Sequence, residues 1–326
     1  MLSTQSSQRD STVTPSLLAP GTRPRVLVLL ASHNGEQWIT EQLNSILTQS
    51  QVDVQINIRD DASSDQTRLR IKPFLENKPV RLTCGASPTG SASQNYFELI
   101  RENSADGFNF VAFSDQDDTW YVDKLFRACR HLKSGTHAGY SSATAAKWPD
   151  GKSKILRQGT RNTSSAFLFG GAGQGCTFVV TRDFYERFRS FVKCNSRLTR
   201  NIHYHDWAVY ALACAWNLSW IFDQVPSVTY RQHSQNDTGA RTSVSGVLKR
   251  LTLIRQQWYA NQLRAIAALC ASANPTDVLI SQWNSILFAD DSWNRRLRIA
   301  RYCMTGGRRS IPENIILIVA ALLGYL

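Results

Sequence analysis

Val26-Leu27-Val28-Leu29-Leu30 is a continuous apolar run, the mark of a strand buried on both faces. It stops at the polar turn Ala31-Ser32-His33-Asn34-Gly35, after which Trp38, Ile39, Leu43, Ile46 and Leu47 recur at helical spacing. The unit then repeats. Val52–Ile58 alternates apolar and polar and leads into Arg59-Asp60-Asp61-Ala62-Ser63-Ser64-Asp65. A helix to about Leu75 follows, with Ser63 or Ser64 as its expected cap. Next come a short strand near Val80–Leu82, a helix over 91–103, a strand over Phe108–Phe113 and a helix over Trp120–His131. This alternation predicts an α/β fold on an open sheet with parallel crossovers, whose ligands bind beyond the carboxyl ends of the strands.

After Lys133 the pattern loosens. Residues 134–174, rich in Gly, Ser, Thr and Ala, are expected to loop across that end of the sheet. Cys176–Val180 reads as a strand, Arg182–Val192 and His205–Trp216 as helices, and Trp220–Phe222 as a late strand. Residues 244–303 keep a helical period with a break at Asn274-Pro275, and Ile315–Leu326 is apolar but too short to span a bilayer. Residues 1–24, rich in Ser, Thr, Gln and Pro without apolar periodicity, read as a disordered leader.

Charge adds one feature to this picture. The net charge is +12, and from Arg241 onward eleven basic residues face only four acids. Such a basic segment suits nucleic acid, anionic lipid or a phosphorylated ligand. No zinc-finger spacing or RNA-binding aromatic motif accompanies it, so nucleic acid is set aside. The seven cysteines are scattered without a C-x-x-C pair, and no signal-peptide pattern opens the chain. Reduced thiols in a cytoplasmic protein are therefore expected.

The sharpest chemical signal is Ser114-Asp115-Gln116-Asp117-Asp118, three carboxylates in four residues directly after a buried strand. Packing them together is costly unless a cation neutralises them, and oxygen ligands suit Mg²⁺ or Mn²⁺ bridging to phosphate. The plainer reading is an acidic turn capping the next helix. Asp60 and Asp61 allow the same two readings, a helix cap or an acceptor of base and ribose hydrogen bonds. Asp206 opens a helix, where it either complements the helix's positive end or acts as a base, and His233 on its own is a loop histidine. Gly170-Gly171-Ala172-Gly173-Gln174-Gly175 does not sit between strand and helix as a dinucleotide loop would, and no Walker lysine motif occurs.

Taken in order, these elements resemble the family 2 glycosyltransferases. The resemblance runs from about Val26 to Gly239 through the Ala31–Gly35 turn, Arg59–Asp65, Phe113–Trp120, Gly175-Cys176-Thr177, His205-Asp206-Trp207 and Tyr230-Arg231-Gln232-His233. Ser-Asp-Gln-Asp-Asp and Tyr-Arg-Gln-His look most like the bacterial rhamnosyltransferase branch, which uses dTDP-L-rhamnose. Two departures are Ser32-His33, where relatives often have Tyr or Thr-Tyr, and Ala62, where Gly is frequent.

The resemblance implies an A-type glycosyltransferase fold with a C-terminal helical extension. Its catalytic domain would span 25–240, with a nucleotide-binding half (25–133) and an acceptor half (134–240), followed by the basic helical segment 241–326. It also implies roles. Ser32, Asn34, Asp60, Asp61, Asn95, Asp115 and Arg231 would bind the nucleotide sugar. Asp115 and Asp117 would form the Asp-x-Asp metal motif, joined by His233. Asp206 would be the catalytic base, and Gly175, Cys176, Thr177 and Trp207 would meet the acceptor.

The expected function is inverting, metal-dependent transfer of a sugar onto a polysaccharide or lipid-linked saccharide, with L-rhamnose from dTDP-L-rhamnose as the expected donor. The expected location is cytoplasmic, with peripheral contact on the inner face of the plasma membrane through the C-terminal segment. A UDP-hexose donor, or a catalytically silent membrane-peripheral binding protein of polysaccharide assembly, is the alternative.

Overall fold

The computed structural model describes residues 22–76, 79–157, 165–233, 256–308 and 311–326. Most of the expected leader, the first part of the 244–303 helical span and the end of the resemblance near Gly239 lie outside these residues.

The first half alternates as its pattern predicts: β1 (Arg25–Ser32), α1 (Ile39–Leu47), β2 (Asp53–Asp60), α2 (Thr67–Ile71), β3 (Val80–Cys84), α3 (Ala92–Glu102) and β4 (Phe110–Ser114). β5 (Thr119–Trp120), α4 (Lys124–Leu132), β6 (His137–Lys147), β7 (Ser153–Leu156), β8 (Val179–Thr181), α5 (Arg182–Cys194), α6 (Ser196–Thr199), α7 (His205–Ala215) and β9 (Ser219–Arg231) follow. Among the described residues four helices follow: α8 (Trp258–Ala273), α9 (Val278–Phe288), α10 (Trp293–Gly306) and α11 (Ile311–Leu322).

The strands form one sheet in the order β3-β2-β1-β4-β8-β6-β9-β5, with β7 beside β6. β3, β2, β1 and β4 are mutually parallel, whereas β8 is antiparallel to both β4 and β6. β1 shows why its run is unbroken: Val26, Val28 and Leu30 join a core on one face with α1 and α4. Leu27 and Leu29 join a larger core on the other face. Residues of the four C-terminal helices, Leu263, Trp283, Ile299 and Leu317 among them, share that larger core.

Five expectations are corrected. Residues 134–174 are not all loop, since β6 runs through the sheet between β8 and β9. Its small residues carry little hydrophobic signal because close packing on both faces excludes larger ones. A Cβ at Gly139 would lie 2.2 Å from the Trp220 ring. Gly175–Thr177 is a 3₁₀ turn, and the strand there is shorter, at Val179–Thr181. The late strand is far longer than Trp220–Phe222, reaching Arg231, and its Pro226 sits at a register irregularity. Neither Ser63 nor Ser64 caps α2; Asp65 Oδ1 instead accepts the Thr67 amide at 2.9 Å. The C-terminal helical span is broken a second time, where Ser292 caps α10 by accepting the Arg295 amide.

Candidate active site

The acidic motif does not cap a helix. Strand β5 separates it from α4, whose N-cap is Asp123. β5 pairs with β9, Thr119 opposite Thr229, and this pairing carries Arg231 and His233 to the acids. His233 Nε2 then lies 2.8 Å from Asp117 Oδ2, while the imidazole stacks on Trp38 at 4.0 Å between ring centroids. The Arg231 side chain donates to the Asp117 carbonyl at 3.2 Å and pairs with Glu41 at 2.8 Å.

Asp115, Asp118 and Cys176 also bring one ligand atom each to within 4.8 Å of one another. That cluster is a poor metal centre for a phosphate ligand, because Asp118 and Cys176 are fully buried. Neither Asp118 oxygen makes a hydrogen bond of ordinary geometry. Burial, then the charges of Asp117 and Asp115, raise its pKa well above the usual carboxylate range, opposed by the Cys176 thiol and the Arg231 amide. Proton retention on Asp118 lowers the repulsion within the motif. The partly open pair Asp117 and His233, with Asp115 beside them, offers the carboxylate and imidazole donors that suit a divalent ion.

On the nucleotide side, the first and second turns are tied together. Asn34, at φ 51°, accepts the Ser64 amide at 2.9 Å, and its own amide donates to Ser63 Oγ at 2.9 Å. Ala62 sits at φ 52°, left-handed backbone where glycine is unstrained. Asp60 is fully buried and accepts from Ser63 and Arg68, while Asp61 accepts from Arg59 and from the Thr89 amide and hydroxyl. Asn95 accepts from Arg59 at 2.7 Å and donates to the carbonyls of Ser32 and Arg59. These three side chains brace the loops after β1 and β2. Gln116, absent from the expected set although it lies inside the acidic motif, donates to the His33 carbonyl at 2.8 Å. It accepts from the His33 amide at 2.8 Å and from Ser32 Oγ at 3.2 Å. A Cβ on Gly35 would lie 2.3 Å from its Oε1, so a side chain there would push the Gln116 amide off the first turn.

On the other side, Asp206 is half-buried at the start of α7, its Oδ1 accepting the Trp207 amide at 2.7 Å. Gly175 backs onto it: a Cβ there would lie 3.0 Å from Asp206 Cβ and 2.9 Å from His205 Nε2. Cys176 and Thr177, the other two residues of this turn, are fully buried. Trp207, expected to touch the acceptor, is a core residue only 3% exposed, and its indole N–H donates to the Phe167 carbonyl at 2.7 Å. Between the two sides stands Tyr96, fully buried. Burial and the nearby Asp115 push its phenol pKa well up, so it stays a hydrogen-bond donor.

The sheet changes strand direction after β4 and carries acids and an imidazole at its carboxyl edge, an architecture of the A-type glycosyltransferase fold. Residues 27–189 match the family described as Glycosyl transferase family 2. The dTDP-rhamnosyl transferase RfbG of Shigella flexneri is 35% identical over 240 residues, covering 73% of this chain and 83% of that protein. The chain belongs to glycosyltransferase family 2, and its activity is glycosyl transfer from a nucleotide sugar.

Among solved structures, Staphylococcus aureus TarS 1–349 in complex with UDP-GlcNAc is similar with a TM-score of 0.56 at 15% identity, covering 92% of this chain and 80% of that one. The chain spans only 42% of a longer TarS structure. Mannosyltransferase PcManGT from Pyrobaculum calidifontis, in complex with GDP-Man and Mn²⁺, has a TM-score of 0.52 at 17% identity, covering 96% and 90%. At such identities these likenesses speak for the fold.

Proposed function

We propose that this enzyme transfers L-rhamnose from dTDP-L-rhamnose to a saccharide acceptor with inversion at the anomeric carbon. The observation that carries the reading is the 2.8 Å approach of His233 Nε2 to Asp117 Oδ2 at the carboxyl edge of the sheet. Likeness to the Shigella flexneri rhamnosyl transferase over 73% of the chain supports the donor.

Asp115, Asp117 and His233 would hold Mg²⁺ or Mn²⁺, and a bound ion offsets charge on the donor diphosphate. Ser32, Asn34 and the loops braced by Asp60, Asp61 and Asn95 shape the nucleoside pocket. Arg231, paired with Glu41, lies beside Asp117 and can turn toward the leaving diphosphate. Asp206 accepts the proton of the attacking acceptor hydroxyl. A single base on the acceptor side, without a nucleophile on the opposite face of the sugar, gives inversion.

The test is a panel of dTDP-L-rhamnose, UDP-glucose and UDP-GlcNAc with and without Mn²⁺, read by thermal shift and nucleotide release. Strongest Mn²⁺-dependent binding and release with dTDP-L-rhamnose is expected. Preference for a UDP-hexose replaces the donor, and binding without release supports the silent alternative.

The partner side of the proposal is an anionic membrane surface. Among the described residues no helix is long and apolar enough to cross a membrane. α11 packs Leu317, Ala320 and Ala321 into the core but exposes Ile315, Ile316, Val319 and Leu323. The neighbouring α10 exposes Trp293, Leu297 and Met304 together with Arg298 and Arg301. Apolar side chains flanked by arginines complement an anionic leaflet, which fits a lipid-linked acceptor.

A further inference from the structure

Tyr96 touches both halves of the site at once. Its hydroxyl lies 2.5 Å from the Ser114 carbonyl and 3.0 Å from Asp115 Oδ1, so its single proton is shared between the two and ties the first residue of the acidic run to the end of β4. Its ring stacks on His205, with centroids 3.7 Å apart and planes 22° from parallel. His205 is the first residue of α7 and the immediate neighbour of Asp206. The turn at Gly175 closes on His205 and Asp206, so the imidazole lies between the Tyr96 ring and that turn.

We infer that Tyr96 is a positioning residue that sets the donor-side acids and the base-bearing helix at a fixed spacing. Its two contacts are chemically separable. The hydroxyl orients Asp115, which governs how nucleotide and metal are held. The ring face orients His205 and, through the backbone, the carboxylate of Asp206. Helix α3 suits this task because its Ser91 cap accepts the Gln94 amide, and Gln94 in turn donates to the Thr199 carbonyl at 2.9 Å. The helix carrying Tyr96 is thus fixed both at its own start and to the segment just before α7.

The inference rests on the proposed roles of Asp115 and Asp206, and the test separates the two. Tyr96→Phe and Tyr96→Leu are compared with wild type and with Phe97→Leu, a fully buried neighbour on α3 that belongs to the larger core. The readouts are Mn²⁺-supported dTDP and UDP affinity, and nucleotide release by hydrolysis of dTDP-L-rhamnose, in which water takes the place of the acceptor hydroxyl that Asp206 deprotonates. Tyr96→Phe should weaken nucleotide affinity about tenfold, the share of one hydrogen bond to a charged group, with release at saturating donor nearly unchanged. Tyr96→Leu should lower saturated release about tenfold further, because a misplaced base costs turnover rather than binding. Phe97→Leu should lower thermal stability while changing neither quantity. Wild-type affinity in Tyr96→Phe, or equal release from the two Tyr96 variants, overturns the inference. Wild-type protein that binds neither nucleotide with Mn²⁺ removes the underlying reading instead.

Discussion

His233 Nε2 lies 2.8 Å from Asp117 Oδ2 although 116 residues separate them in the chain. The contact exists because β5, directly after the acids, pairs with the end of β9, and because Trp38 supplies a flat surface for the imidazole. A histidine placed this way is committed to a cation or to its neighbouring carboxylate.

His233→Ala is therefore expected to weaken Mn²⁺-supported dTDP binding at least about tenfold, a magnitude typical of residues supporting a metal. Isothermal titration with and without Mn²⁺ measures it. EDTA should reduce wild type to the metal-free affinity while leaving the variant little changed. An unaltered Mn²⁺ response in the variant assigns the ion to other ligands.

Asp206→Asn keeps the shape of the α7 start and its oxygen acceptor for the Trp207 amide. Donor affinity should stay near wild type while sugar transfer falls about 10²–10⁴-fold, the usual share of a general base. Normal transfer in this variant moves the base elsewhere.

Lys124 is fully buried, its ammonium 3.8 Å above the Trp120 ring and without a hydrogen-bond partner. Burial lowers its pKa from 10.5 to about 7, opposed by Cys176 and Asp118 and reinforced by Arg127. Between those values the unfolded chain binds the proton more tightly than the folded one. Stability is then lost as pH falls from about 10 to 7 and levels off below. Lys124→Met removes that dependence. Urea midpoints at pH 7 and 9.5 should show wild type gaining on the variant as pH rises, and parallel changes refute the assignment.

The outward face of α11 offers a test of membrane contact that leaves the core intact. Ile316→Glu with Val319→Glu changes exposed positions, whereas truncation would remove buried Leu317 and Ala321. Co-sedimentation with anionic vesicles should be lost in the double variant and weakened by salt in wild type. Equal sedimentation of both proteins ends the membrane claim.

The parallel half of the sheet was legible because β1 and β4 are unbroken apolar runs and β2 alternates apolar and polar, and the acidic motif because three carboxylates after such a run are unusual. β6 escaped because Ala, Gly and Ser fill a crowded central strand without a hydrophobic signature. The roles of Asp60 and Asp61 were ambiguous because carboxylates that tie loops and carboxylates that bind ligands look alike in one dimension. Tyr96 had no signal, since its importance lies in two contacts made in three dimensions. Ala62 shows the reverse: its left-handed backbone is the conformation that the expected glycine at that place would take without strain.

The sheet order has a consequence for synthesis on the ribosome. Among the described residues, β6 emerges before β8 yet reaches the parallel strands only through it, and β5 emerges before β9, its one strand partner there. A nascent chain released only as far as β4 can assemble β1 to β4 in sequence-local steps. The small-residue strand and the acids must then wait for partners made later. The acidic motif is thus translated long before His233, and a stalled chain would present an open strand edge with its carboxylates unpaired. For this protein the last strand both completes the sheet and completes the site.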